Sequence, residues 1–171
     1  MTTLITERLT LTPVALSDYD DLRVLWGDAD FIRHIFPAPL TGEDVWLRVL
    51  RDIGHWEALG HGNWTVRLRD GGDYVGSVGV LDYHRTLEPA FDAPELGWGV
   101  HPRFQGQGLA FEALSAALAW CDDTLNAART VCMISPENEP SIALARRAGF
   151  APYVETTYKG EPVILFERTA A

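Results

Sequence analysis

The sequence predicts a mixed α/β fold in which one sheet is flanked by helices. The run of alternating apolar and polar residues at 63–69 is typical of a half-buried strand, and 74–81 follows it across a hairpin turn as the next strand. Longer segments repeat apolar residues at three- and four-residue spacing, which favours helices. A glycine-rich stretch at 105–110 joins an apolar run to a helix-like segment. The predicted order is β-α-α-β-β-β-α-β-α-β-β, and one domain over residues 1–171 accounts for it.

Composition narrows the class of protein. The chain has 171 residues, 47% of them hydrophobic, which is enough for one domain with a sizeable core. No apolar run is long enough for a membrane span and the N-terminus lacks a basic-then-apolar signal, so we expect a cytoplasmic location and no membrane partner. A net charge of −10 argues against nucleic acid and suits a cationic substrate such as an amine.

The two cysteines, Cys121 and Cys132, both fall within predicted apolar elements. This placement favours buried free thiols over a disulfide or a metal ligand. We therefore expect no metal site.

The first half of the chain is predicted to contain a strand at 9–14 and two helices. The first helix follows Ser17 and ends near Trp26. The second opens with a capping box at Thr41 and ends at Gly60. Its expected buried stripe is Val45, Leu47, Val49, Leu50 and Ile53.

The second half is predicted to alternate strands and helices. Strands are expected at 95–100, 130–135, 152–158 and 162–168. A long helix should cover 110–127, and the last helix should begin at Asn138 and end at Gly149. The buried face expected for the long helix is Ala110, Ala113, Leu114, Ala117, Leu118 and Cys121.

The turn at 105–110 predicts an anion site. It lies between a strand and a helix, so backbone N–H groups and the positive end of the helix dipole converge there. Gly106 and Gly108 remove side chains that would hold a phosphate away from the backbone. No Gly-Lys-Ser/Thr closes the turn, which argues against a nucleotide P-loop. Phe111 stands where a dinucleotide fingerprint needs a small residue.

The same turn resembles the acetyl-CoA signature Q/R-x-x-G-x-G/A of the GNAT N-acetyltransferase superfamily. Gln105, Gly108 and Ala110 fill its defined positions. A second register, which starts at Arg103, also matches. We prefer the first because it keeps the family's spacing from the Val-x-Pro that begins at Val100.

Two further stretches carry the resemblance along nearly the whole chain. Residues 138–150 are similar to the family's N-x-x-S-x-x-L-x-x-x-x-G-F helix. Residues 6–13 resemble the first strand of the branch that includes the ribosomal-protein N-terminal (alanine/serine) acetyltransferases. The resemblance implies a mixed, mostly antiparallel sheet of about seven strands with about four helices. It also implies acetyl-CoA as co-substrate and a primary amine as acceptor, either a protein N-terminus or a small molecule, and it allows a homodimer.

The resemblance assigns the cofactor-binding residues. The pantetheine arm would lie along the strand that carries Trp98 and Val100, although Trp98 also fits core packing. Arg103 would pair with a phosphate, and Asn138 would contact the arm, cap the last helix, or do both. Arg146 or Arg147 would reach the adenosine phosphate. The residues whose backbone N–H groups would hold the pyrophosphate are Gln105, Gly106, Gln107, Gly108, Leu109 and Ala110.

The resemblance also suggests catalytic roles. Glu95 would remove the proton of the amine, directly or through water, unless it is only a strand-edge carboxylate. The Val100 N–H would stabilise the charge that develops on the thioester oxygen. Ala145 stands where many relatives have a tyrosine, so Ser141 is the candidate partner of the leaving sulfur. Alternatives for the base are Asp92, His84 and His34.

The acceptor and the activity leave alternatives open. In the family, the segment corresponding to residues 31–40 lines the acceptor site, but here it could equally be an apolar latch on the core. The loop at 82–94 is a second candidate wall. Because Ala145 departs from the family pattern, a CoA-binding module without catalysis is the alternative function.

Overall fold

A computed structural model describes residues 2–170. Eight strands are numbered in chain order: β1 (Leu4–Ile5), β2 (Leu9–Pro13), β3 (Asn63–Leu68), β4 (Tyr74–Leu81), β5 (Glu95–Val100), β6 (Arg129–Ile134), β7 (Ala151–Tyr158) and β8 (Glu161–Thr169). The helices are α1 (Tyr19–Trp26), α2 (Ala29–Ile32), α3 (Gly42–Leu59), α4 (Leu109–Trp120) and α5 (Glu139–Arg147). The strands form one sheet in the order β1-β2-β3-β4-β5-β6-β8-β7.

The sheet changes direction at its centre. Neighbouring strands are antiparallel except β5 and β6, which run parallel. Within residues 2–170, β5 and β6 pair at a single position, Glu95 opposite Val131. Beyond that pair β6 continues beside β8 while β5 stays paired with β4 through Val100. The two central strands therefore separate towards their carboxyl ends, and we call the opening between them the wedge.

The predicted fold class is confirmed, with differences in short elements. The sheet has eight strands because Leu4–Ile5 pairs with β2, and two residues are too few to produce an alternating pattern. The four-residue α2 follows an Asp28 cap and was not predicted. The predicted long helix ends as an α-helix at Trp120 and continues as the π-helical turn Cys121–Leu125. Asn126 ends this turn in a left-handed conformation, with φ 50°.

The buried face of α3 differs from the predicted stripe. Val45 and Val49 are fully buried, but Leu47 and Leu50 are exposed. The buried face continues instead through Asp52, His55 and Trp56. Counted from Val45, the residues Val49, Asp52 and Trp56 have the spacing i+4, i+7 and i+11 of one helix face. Hydrophobicity did not predict this face because two of its residues are polar.

The buried face predicted for the long helix agrees with the structure except at its start. Ala113, Leu114, Ala117 and Leu118 of α4 are buried in the main core, but Ala110 in the first turn is only half-buried. Cys121 and Cys132 are buried and free, and burial raises the pKa of Cys121 to about 12. In the described part of the chain, no helix is both long and apolar enough to cross a membrane.

The start of α3 offers a test of stability. The Thr41 hydroxyl accepts a hydrogen bond from the Asp44 N–H, and the Asp44 carboxylate accepts one from the Thr41 N–H at 3.0 Å. Thr41→Ala should lower the melting temperature by a few degrees, because it leaves helix N–H groups uncapped. Exposed Thr124 provides the control. A loss of the same size in Thr124→Ala, measured by calorimetric melting, would contradict the assignment.

Candidate active site

The glycine turn is held in place by the core on both sides. After β5, a 3-10 turn at Pro102–Phe104 leads to Gly106 and Gly108, which have φ of 73° and 77°. Both angles lie in the left-handed region that glycine adopts without strain. Phe104 before the turn and Leu109 after it are buried, whereas the glycines are exposed. The turn therefore presents bare backbone on a rigid base.

The N-terminus of α4 has unused hydrogen-bond donors. The first helical hydrogen bond runs from the Glu112 N–H to the Gly108 carbonyl. Among residues 2–170, none accepts a hydrogen bond from the N–H groups of residues 108–111. The helix dipole adds partial positive charge at the same point. These four donors can hold a diphosphate.

Three guanidinium groups lie around the turn. Arg103 forms an ion pair with Asp73 at 2.9 Å, and Arg147 of α5 lies 3.9 Å above the Phe111 ring in the first turn of α4. Arg8 donates to the Gln107 carbonyl at 3.0 Å. Sequence reasoning missed Arg8 because nothing local connects residue 8 to a turn a hundred residues later. Of the two arginines suggested for the adenosine phosphate, Arg147 is the one that contacts this helix.

Glu112 fixes Arg8 beside the turn. Its carboxylate accepts hydrogen bonds from the Thr6 hydroxyl at 2.5 Å, from the Arg8 N–H at 2.8 Å and from Arg8 Nε at 2.7 Å. Partial burial raises the pKa of Glu112, but these hydrogen bonds outweigh burial and the net pKa is lowered. Glu112 therefore couples the N-terminal segment to α4.

This clamp predicts a pH dependence of stability. Because the Glu112 pKa is lowered on folding, its stabilisation is complete above the ordinary Glu pKa of about 4.3 and is lost as pH falls through the folded-state value. Glu112→Gln should lower the free energy of unfolding by about 1.5–3 kcal/mol at neutral pH, and the difference should shrink in acid. Denaturant unfolding at several pH values checks this, with exposed Glu57→Gln as control. A difference that is constant with pH would contradict it.

The edge of β5 that faces the wedge is open. The His101 N–H donates to the Val75 carbonyl of β4 at 2.8 Å. Because backbone groups alternate sides along a strand, the N–H groups of Trp98 and Val100 face away from β4, towards β6. Within residues 2–170 no β6 residue pairs with either of them. Gln105 Nε2 donates to the Val100 carbonyl at 3.2 Å, which links the glycine turn to this edge.

Asn138 and Ser141 lie at the start of α5. Asn138 Oδ1 accepts a hydrogen bond from the Ser141 N–H at 3.2 Å, so Asn138 is the N-cap. Because β5 and β6 are parallel, the helices that follow them, α4 and α5, both begin at the open end of the wedge. Ser141 is half-buried in the first turn of α5.

Glu95 is buried and paired, not exposed at a strand edge. It is 6% exposed, and its Oε2 accepts a hydrogen bond from Arg85 Nε at 2.5 Å. Arg85 Nη1 also donates to the Tyr158 hydroxyl at 3.1 Å. No other described group donates to Glu95 Oε1. The carboxylate is therefore fixed through one oxygen, and the other stays available.

The alternative bases have less enclosed surroundings. The His84 side chain is 91% exposed. Asp92 is exposed and paired with Arg129, and His34 accepts a hydrogen bond from Arg33 Nε at 3.0 Å. Of the four candidates, only Glu95 lies on β5, next to the wedge.

The segment at 31–40 contacts the face of β5 that carries Glu95. Glu95, Gly97 and Gly99 share that face, because side chains alternate along a strand. A Cβ at Gly99 would lie 2.6 Å from Phe31 Cζ, so glycine is required there. Ile32 is buried nearby. The packing of Phe31 on Gly99 agrees with the expected anchor, and the role of the segment as a wall of the acceptor site stays a prediction. We call the surface over this face of β5, between Phe31 and Arg85, the acceptor cleft.

The fold and the open wedge define a class of protein, the acetyl-CoA-dependent acetyltransferases. Residues 8–151 match the family model for the acetyltransferase (GNAT) domain. The chain belongs to this family and is an acyl-CoA-dependent N-acetyltransferase with acetyl-CoA as its acyl donor.

Similar proteins agree with this assignment. An uncharacterized N-acetyltransferase of Bacillus licheniformis is 26% identical over 151 residues, which cover 88% of this chain and 83% of that protein. The ribosomal protein uS5-alanine N-acetyltransferase of Escherichia coli is 34% identical over 73 residues, 43% of this chain and 38% of that protein. The crystal structure of an acetyltransferase from Agrobacterium tumefaciens has a TM-score of 0.85 at 28% identity, covering 99% of this chain and 95% of that one.

Proposed function

We propose that the chain transfers the acetyl group to a primary amine bound in the acceptor cleft, with the pantetheine arm in the wedge and the pyrophosphate on the glycine turn. One observation carries the proposal. The free N–H groups of residues 108–111 and the unpaired edge at Trp98 and Val100 belong to one continuous strand-turn-helix unit. A diphosphate and an amide-bearing chain are the chemistry that such a surface fits.

The turn and its surroundings suit each part of the cofactor. Bound acetyl-CoA supplies an activated acyl group. Arg103, Arg8 and Arg147 add positive charge where the phosphates would lie. The Asn138 side-chain amide still has its donor group, because its oxygen is the atom that caps α5. Asn138 can therefore both cap the helix and contact the pantetheine arm.

Glu95 is the proposed base. Its Oε1 is the oxygen left available to take a proton, while Arg85 fixes the orientation of the carboxylate through Oε2. Removal of the proton, directly or through a water molecule, leaves the amine nucleophilic. Arg85 is therefore a positioning residue for the base.

Val100 and Ser141 would handle the charges that develop during transfer. The Val100 N–H faces the wedge and would stabilise negative charge on the acyl oxygen. Ser141, which begins α5 at the same end of the wedge, would donate a hydrogen bond to the leaving sulfur. Ala145, which stands where many relatives have a tyrosine, is fully buried and has no group that could protonate the sulfur, so Ser141 is the proposed donor.

The acceptor is either a protein N-terminus or a small-molecule amine. The uS5-alanine enzyme, by its name, acts on a protein, but it is similar over less than half of this chain. We also propose a single catalytic domain, a cytoplasmic location and a homodimer. Sedimentation of the purified protein tests the last of these.

A steady-state assay of free CoA tests the proposed function. The protein, acetyl-CoA and a panel of peptides, amino acids and polyamines would be incubated, with a protein-free control. CoA release that depends on an amine supports acetyl transfer. Tight acetyl-CoA binding without release for any amine would favour the alternative, a CoA-binding module without catalysis.

A further inference from the structure

We propose that the acceptor is an amine that also carries a carboxylate, and that Arg48 of α3 binds this carboxylate. The inference rests on the proposed function and names the substrate class of the same site. Its basis is the arrangement of charged and aromatic side chains along the wall of the acceptor cleft.

Arg48 is held by aromatic rings and not by an acid. Its guanidinium carbon lies 4.2 Å from the centre of the Trp26 ring and 5.2 Å from that of Phe36. The side chain is half-buried, and no residue of 2–170 accepts a hydrogen bond from it. A guanidinium has five N–H donors, which normally find acceptors when partly buried. Arg48 is therefore oriented and has unused donors.

The acids near Arg48 are already matched to other groups. Asp52 Oδ1 accepts two hydrogen bonds from Arg51, at 2.9 and 2.7 Å, and one from the Tyr83 hydroxyl at 3.2 Å. Asp52 Oδ2 accepts one from Asn63 at 3.0 Å. Glu95 is paired with Arg85.

The acids close to Arg48 do not occupy its donors. Asp44, one turn earlier in α3, and Asp52, one turn later, both interact with the charge of Arg48, but among residues 2–170 their carboxylates accept hydrogen bonds from other groups. Burial, and then the neighbouring Arg51, lower the pKa of Arg48 to about 10. A bound carboxylate would offset both the burial of Arg48 and its repulsion by Arg51, because it supplies hydrogen-bond acceptors and a negative charge together.

Arg48 lies on the wall that bounds the acceptor cleft. Trp26, on which Arg48 stacks, has its ring centre 5.1 Å from that of Phe31, and Phe31 rests on Gly99 of β5. The proposed base, Glu95, lies on the same face of β5, about 13 Å along the strand from Gly99. An acceptor in the cleft would thus have an acid-binding group at one wall and the base at the other.

The same charges disfavour a polyamine acceptor. A polycation would meet Arg48 and Arg85, while the nearby acids already accept hydrogen bonds from other groups, so like charges would repel. An amine that carries no carboxylate would leave the hydrogen-bond donors of Arg48 unused. Because Arg48 and the base lie at opposite walls, the carboxylate must be several bonds from the amine, as in an acidic side chain near a peptide N-terminus. The α-carboxylate of a free amino acid is attached to the same carbon as its amine and cannot reach the opposite wall.

The test compares matched acceptors that differ only in the carboxylate. Phenylalanine is paired with phenylalaninamide, and the amidated tripeptide alanyl-aspartyl-alanine with its asparagine counterpart. We expect the aspartyl peptide to have a higher kcat/KM than its asparagine counterpart, and Arg48→Met to reduce that preference by about ten- to a hundredfold. The control is Arg23→Met, an exposed arginine of α1 that should keep the preference. Phenylalanine and phenylalaninamide should show no preference that depends on Arg48.

A binding measurement separates recognition from catalysis. Calorimetric titration of the CoA-saturated protein with the N-acetylated products should show weaker binding of the acid to Arg48→Met than to the natural protein. If amines are acetylated but the preference is absent, or is the same in Arg48→Met, the inference is wrong while the proposed function stands. If no amine is acetylated although acetyl-CoA binds, the proposed function fails, and the inference fails with it.

Discussion

Replacing Gly108 with tryptophan is expected to weaken acetyl-CoA binding at least a hundredfold, about 2.7 kcal/mol. Gly108 precedes α4 with φ 77°, and its Cα borders the N–H groups proposed to hold the pyrophosphate. An indole there would fill the space of a phosphate. A left-handed conformation also strains any side chain, so the N–H groups would move from their alignment. Calorimetric titration with acetyl-CoA measures the loss.

Gly160 supplies a matched control for Gly108. It has φ 87° in the β7–β8 hairpin, with no atom within 4 Å of a Cβ placed there. Gly160→Trp carries the same backbone strain at a distance from the turn, so both variants should lose stability and only Gly108→Trp should lose affinity. If a folded Gly108→Trp protein binds acetyl-CoA as tightly as the natural chain, the pyrophosphate site lies elsewhere.

Glu95→Gln is expected to lower kcat near neutral pH by about a hundred- to ten-thousandfold, the contribution of a positioned general base. The amide cannot take the proton of the amine, so the reaction would depend on acceptor already deprotonated in solution. The rate of the variant should therefore rise with pH towards the pKa of the free amine. A pH–rate profile of kcat/KM for both proteins checks this.

The control for Glu95→Gln is Glu167→Gln. Glu167 of β8 also pairs with an arginine, Arg129, at 2.7 Å, so its loss removes an ion pair of the same kind away from the cleft. We expect an unchanged profile for that variant. If the profile of Glu95→Gln has the natural shape, Glu95 has a structural role through Arg85, and the base must be sought elsewhere.

Features fixed by neighbouring residues could be predicted from the sequence. The glycine turn, the Thr41 cap of α3 and the Asn138 cap of α5 depend on a few consecutive residues, and each lies where it was expected. The hairpin strand Tyr74–Leu81 and strand Glu95–Val100 were predicted to the residue, because turns and loops flank both of them.

Features that join distant segments could not be predicted in this way. The wedge depends on where β5 and β6 stop pairing, and no residue of either strand encodes that alone. Arg8 reaches the glycine turn only because Glu112 accepts its N–H groups from across the chain. Arg85 meets Glu95 because the loop after β4 folds back over β5.

The polar face of α3 could have been found in the sequence. Arg48, Asp52 and His55 have the four- and three-residue spacing of one helix face. We assigned the inner face by hydrophobicity, so Leu47 and Leu50 were placed there and the polar residues were not. Asp52 and His55 are buried there because hydrogen bonds from Arg51, Asn63 and the Asp82 N–H satisfy them.

Amide resonances recorded during a titration with acetyl-CoA test most directly whether the glycine turn and the open edge of β5 bind the cofactor. In the isotope-labelled protein, we predict the largest shifts at the N–H groups of residues 108–111 and at Val100, which would face the pyrophosphate and the pantetheine arm. Contradiction would come from unmoved resonances at these positions together with large shifts elsewhere, for example in the groove between β7 and β8 lined by Glu155, Thr157 and Pro162.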